Sequence, residues 1–197
     1  AASFASQCYA QSPALADYSR LQHALGTAEI LEHMHIDSDC LVAALLHAVP
    51  DVLPDWTETL SSRFGSQVVG LVEGYTRMSH IQSLTDTEAA SVGGKPHDRG
   101  QQLEALRKML LAMVQDIRVV VIKLAERTQL LRQLVHQPSA TQQQVARENQ
   151  TIFVPLANRL GIWQLKWELE DLSLRILQPQ VYKDIARMLD ERRVDRE

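Results

Sequence analysis

Apolar side chains recur along this chain at intervals of three and four residues, and no run alternates convincingly with period two. The spacing therefore predicts helices throughout. A helix that is apolar along one stripe must bury that stripe against another, which makes the chain an all-α helical bundle. At 197 residues it fits one ordinary domain, long enough to bury roughly 70% of the surface its unfolded form exposes.

The first strong helix, about Arg20 to Met34, places Leu21, Ala24, Leu25, Ala28, Leu31 and Met34 on one face. Asp37 or Ser38 caps a second, about Cys40 to Val49, which Pro50 and Pro54 terminate. Asp55 and Glu58 have capping-box spacing and open a short helix that Gly65 closes; Ser66 starts the next, to about Met78. From Ser79 to Arg99 the period disappears, and Gly93, Gly94 and Pro96 mark a long flexible loop.

Helical spacing returns through Leu103, Leu106, Leu110 and Met113. Arg118 to Ile122 has the propensity of a strand, but Lys123 to Leu134 continues it with strong helix formers, so Ile117 to His136 reads as one buried helix stopped by Pro138. Three helices follow, about Ala140 to Asn158, Trp163 to Leu177 and Gln180 to Arg193. The bundle has about eight to ten helices.

A net charge of −4 with mixed signs leaves no electrostatic footprint for nucleic acid. Arg192, Arg193 and Arg196 are flanked by acids and read as a solvated helix end, and the charged terminus reads as a cut in a linker. The longest nearly uncharged stretch, Cys40 to Val49, is too short to cross a bilayer, so no membrane partner is expected. Cys8 and Cys40 lack metal-type spacing and suit incidental thiols in a reducing cytoplasm. Trp163 and Trp167, four residues apart, are expected to pack, and His80, His97 and His136 to lie on the surface.

The chemistry concentrates where Ala43-Ala44-Leu45-Leu46 ends in His47-Ala48-Val49-Pro50-Asp51. A metal-assisted phosphohydrolase holds its cation with nitrogen and oxygen ligands while leaving positions open for water and phosphate. His23 on the first strong helix and His47 at the end of the second can point into one interior.

Longer motifs carry a resemblance. His23 to Leu31, Ala43 to Val52, Arg107 to Met113, Asp116 to Val119, Ile122 to Ala125, Pro155 to Ile162 and Lys166 to Leu172 resemble the N-terminal HD hydrolase domain of the long RelA/SpoT homologues, which make and degrade (p)ppGpp. The resemblance implies a metal held by His23, His47, position 48 and position 126. Here position 48 is Ala48, and Glu126 stands for an aspartate. The water-positioning acid pair corresponds to Asp51 and Val52, and a nucleotide-contacting asparagine to Leu130. The basic stretch expected before His23 is not recognisable between Ala10 and Gln22.

The resemblance therefore implies a degenerate HD domain over 1–197, with 191–197 leading toward a synthetase domain. No catalytic residue, metal or cofactor is expected in it, and Glu126 is expected to pair with Arg127, Arg132 or another cation. Its role would be regulatory or structural in a RelA-type GTP pyrophosphokinase, which moves pyrophosphate from ATP to GTP or GDP in the stringent response. Partners would be the synthetase domain of the same chain and, through the full-length protein, the ribosome; a homo-oligomer stays open. One alternative is a weak manganese-dependent (p)ppGpp 3′-pyrophosphohydrolase using His23, His47, Asp51 and Glu126. Another is a non-catalytic nucleotide-binding or interaction module.

Overall fold

The computed structural model describes residues 1–10, 19–91, 116–136 and 140–194, with side chains described outside 81–91, 140 and 190–194. Every regular element in them is helical, as the periodicity requires. In chain order these are α1 (Ala2–Tyr9), α2 (Arg20–His33), α3 (Ser38–Leu46), a 3₁₀ turn (Val49–Asp51), α4 (Trp56–Phe64), α5 (Ser66–Ser91) and α6 (Ile117–Leu134). Then come α7 (Ala140–Glu148), a π-helical turn (Asn149–Phe153), α8 (Val154–Arg159), α9 (Trp163–Leu177) and α10 (Pro179–Val194). The helix expected around Leu103 to Met113 lies outside the described residues.

The chain divides into two units, Ala1–Gln129 and Leu130–Glu197, with the boundary inside α6. In the first, α2 packs on α3, α3 and α4 pack on α5, and α1 touches both α2 and α3. Asp37 is the cap of α3, its side chain accepting the Cys40 N–H at 3.1 Å. The proposed capping box at Asp55 does not form, since Asp55 precedes α4 without a side-chain cap bond. Gly65, at φ +90, ends that helix where a side chain would be strained.

Three further sequence expectations are corrected. The helix begun at Ser66 does not stop near Met78 but continues to Ser91 through residues assigned to a loop. Losing apolar periodicity there did not mean losing helix, because no glycine or proline falls between Met78 and Gly93. The rest of that expected loop, 92–99, lies outside the described residues. On α2 the buried stripe is His23, Ala24, Thr27, Ile30 and Leu31, while Leu25 is exposed. The helix is rotated so that Thr27 joins His23, expected to face inward, on the buried side. Trp163 and Trp167 are exposed rather than packed, because the buried stripe of α9 is Leu165, Leu169, Leu172 and Ile176.

In the second unit, the expected single helix from Ala140 to Asn158 is one rod with an irregular middle. The widened π-helical turn comes just before Pro155, which lacks an N–H and crowds the carbonyl four residues back, so the extra turn width relieves the ring. Gly161, at φ +69, makes the return into α9, its N–H bonding to the Asn158 carbonyl and the Ile162 N–H to that of Ala157.

Candidate functional site

The site lies within the first unit and draws on α2, α3, α5 and α6. On α2 the spacing 20, 23, 27 aligns Arg20, His23 and Thr27 on one side. The α3 helix delivers His47 at its C-terminal end. From α5 come Tyr75 and Ser79, four residues apart, and from α6 Lys123 and Glu126, three apart. Helix α6 comes close to its neighbours at two glycines: a Cβ at Gly74 would meet Val119 Cγ2 at 2.6 Å, and one at Gly26 would run into the Gln129 amide.

His23 and His47 meet edge to face, ring centroids 5.6 Å apart, and His47 lies in the same manner against Tyr75 at 4.9 Å. His47 Nδ1 is 2.6 Å from the Ala44 carbonyl oxygen. That oxygen can only accept, so Nδ1 carries the proton and Nε2 keeps its lone pair. Burial, followed by the neighbouring His23, lowers the His47 pKa to about 4, so His47 is neutral at pH 7.

Glu126 is the anionic centre. Its Oε1 is 3.4 Å from His23 Nε2, and its Oε2 is 2.9 Å from Lys123 Nζ. That second approach is an ion pair off the hydrogen-bond direction, since Oε2 has no partner meeting hydrogen-bond geometry. His23, Lys123 and Glu126 are 4%, 5% and 7% exposed. Burial on its own would raise the Glu126 carboxyl, but the Lys123 ammonium, the His23 hydrogen bond and the Arg127 charge hold it well below the ordinary carboxylate range. Lys123 Nζ also donates to Ser79 Oγ at 3.2 Å and sits 4.9 Å from the centre of the Tyr75 ring. Burial and the Glu126 charge push the Tyr75 phenol well above its usual pKa.

The expected cationic partner of Glu126 is thus mainly Lys123, on the same helix face. Arg132 pairs instead with Glu168 in the second unit. Asp51 is drawn outward: its Oδ2 accepts from Arg20 NH1 at 2.9 Å, and the side chain is 62% exposed. Ala48 is buried and Val52 half-buried; neither offers a ligand atom. Leu130 falls in the second unit, just past the boundary in α6.

These residues do not fit a divalent cation. One carboxylate oxygen is occupied by an ammonium, position 48 has no donor, and the nearby Asp51 is held by Arg20. Among the described residues no three His, Cys, Asp or Glu are arranged to hold a metal.

Sequence reasoning missed Tyr9, Arg20, Tyr75, Ser79 and the part played by Lys123. Tyr9 Oη donates to the Leu45 carbonyl at 2.9 Å and accepts from the Ala48 N–H at 3.3 Å, fastening the turn that carries His47. Only Lys123 left a sequence signal, its i, i+3 spacing to Glu126.

An HD domain model matches residues 1–163. A GTP pyrophosphokinase of Escherichia coli K12 is 46% identical over 86% of this chain and 22% of its own length. One from Haemophilus influenzae is 42% identical over 90% of this chain and 23% of its own. A probable guanosine-3′,5′-bis(diphosphate) 3′-pyrophosphohydrolase of Synechocystis is 38% identical over 98% and 24%. A solved structure of a metazoan SpoT orthologue that hydrolyses ppGpp superposes with a TM-score of 0.57 at 21% identity, covering 88% of this chain and 91% of that one, and so shares the fold. An all-helical HD fold with paired histidines is the class defined here, and the chain belongs to the HD domain family, homologous to RelA/SpoT proteins named for both synthesis and hydrolysis. It spans about a quarter of the length of those curated relatives. Among the described residues no helix is long and apolar enough to cross a membrane.

Proposed function

We propose that this is a catalytically silent HD domain of a RelA-type GTP pyrophosphokinase, serving to restrain or position a synthetase domain in the same chain. The observation that carries the reading is the buried Glu126–Lys123 ion pair, at a position where the resemblance implies a metal-ligating acid, in a chain with alanine at position 48 where the resemblance implies another. A hydrolase site needs an open, anionic cradle for its cation. This one is already neutralised by its own side chains. Losing a ligand outright should cost more than the 10- to 100-fold that disturbing a supporting residue commonly costs. In this reading His23, His47, Ala48 and Glu126 are vestigial ligand positions, Asp51, Val52 and Leu130 a dismantled catalytic rim, and the longer protein works in the cytoplasm on the ribosome.

The hydrolase-named relatives, with the retained His23–His47 pair, favour a second reading, a weak manganese-dependent (p)ppGpp 3′-pyrophosphohydrolase. One experiment separates the two. Purified protein dialysed against manganese should retain none and release no pyrophosphate from ppGpp; about one equivalent with release establishes the hydrolase instead. Titration calorimetry with ppGpp and a chelator tests for a pocket that binds nucleotide without catalysis. In the longer protein, (p)ppGpp synthesis with and without residues 1–197 should differ; identical rates in every condition would sink the regulatory role.

A further inference from the structure

We propose that the Lys123 ammonium is the resident cation of this pocket, so that replacing Ala48 by aspartate alone will not restore metal binding. The proposal rests on the silent-domain reading and assigns its cause to a residue that the ligand pattern does not include.

Lys123 has the surroundings of a bound cation rather than of a solvated side chain. Its ammonium is enclosed by the Glu126 carboxylate at 2.9 Å, the Ser79 hydroxyl at 3.2 Å and the face of Tyr75 at 4.9 Å. A carboxylate, a neutral oxygen and an aromatic face together satisfy a monovalent ammonium. Both Glu126 oxygens are engaged, Oε1 toward His23 and Oε2 toward Lys123. A divalent ion using Glu126 would have to share one carboxylate with the ammonium or drive it from a site only 5% exposed. Like charges at such separation in a dry interior repel strongly, and the buried Arg127 adds to the positive field on Glu126.

Glu126 is one methylene longer than the aspartate the resemblance implies there, and its carboxylate meets Lys123 on the face the two share. Lys123 and Glu126 thus form a closed pair, so a new acid at position 48 would add a carboxylate without freeing the one that Lys123 already neutralises.

The test measures manganese bound per chain by equilibrium dialysis and melting temperature with manganese or chelator, on wild type, A48D, A48D/K123M and A48D/E126D. Wild type and A48D should hold no stoichiometric manganese. A48D/K123M should bind one equivalent about tenfold or more tightly than A48D, and its melting temperature should rise with manganese and fall back with chelator. Should A48D/K123M not fold, as judged by circular dichroism, A48D/K123Q reads the same effect. Equal affinity in A48D and A48D/K123M overturns the proposal. So does uptake by A48D/E126D without uptake by the folded lysine variant, since ligand geometry would then be the obstacle. Manganese held by wild type itself overturns the silent-domain reading, a separate failure.

Discussion

Removing either partner of the Lys123–Glu126 pair should destabilise the fold far more than removing both. At 2.9 Å and an effective dielectric of about 20, the gross attraction is about 6 kcal/mol. Withdrawing two ions from water costs several kcal/mol each, so the net contribution of the intact pair is near zero. E126Q, however, leaves the Lys123 ammonium buried against a neutral amide, and K123M leaves the Glu126 carboxylate with His23 and Arg127 alone. Each single change should cost about 3 to 5 kcal/mol. The double variant, which buries two uncharged side chains of similar volume, should lose less than about 2 kcal/mol, giving a coupling of several kcal/mol. Urea unfolding at pH 7 followed by far-ultraviolet circular dichroism measures all four proteins. If the double variant is no more stable than the worse single one, the carboxylate and ammonium are satisfied independently, and the view of the pocket as self-neutralised is wrong.

Acid should destabilise the fold through His47. Its pKa is lowered from 6.5 to about 4, so the folded state excludes a proton that the unfolded chain binds; the stabilisation is complete above about pH 6.5 and lost as pH falls toward 4, about 3 kcal/mol in all. H47Q should lose less stability than wild type between pH 7 and 5, and an equal loss would remove His47 as the cause. G74A gains about 1 kcal/mol of helix propensity, but its Cβ meets Val119 Cγ2 at 2.6 Å and overpacking costs about 1 to 3 kcal/mol. A net loss that V119A relieves in a double-mutant cycle is expected in urea melts, and additivity of the two changes would show that α5 and α6 yield there. Burial, then the Asp37 hydrogen bond, pushes the Cys40 thiol up to about 12, so iodoacetamide at pH 8 should label the half-buried Cys8 and spare Cys40 until urea is added. Equal labelling of both in the folded protein, read by mass spectrometry, would show Cys40 to be accessible.

The helical class was legible because it depends on spacing, which survives even where Val119, Val120 and Val121 have strand propensity. His47 at the end of α3 was legible too, from the prolines that follow it. The orientation of α2 was not. Apolar content pointed Leu25 inward, whereas the fold exposes it and buries Thr27 beside His23, the inward histidine that was expected, since a buried hydroxyl has no apolar period to reveal it. The extension of α5 was hidden for a related reason: the residues past Met78 favour helix without carrying a stripe. Within the site, the ligand positions came from motif register along single helices. The Arg20–Asp51 and Tyr9–Ala48 contacts join elements far apart in sequence, and no periodicity connects them.

The phenol of Tyr9 makes the first helix a fastener for a turn 39 residues away. With one hydroxyl it closes both a carbonyl and an amide of the segment bearing His47. Undocking of α1 would therefore release the Ala48 amide, just past α3, to solvent exchange while α3 stayed protected. The rigidity of the histidine pair is thus set partly from outside it, by how firmly eight N-terminal residues are held.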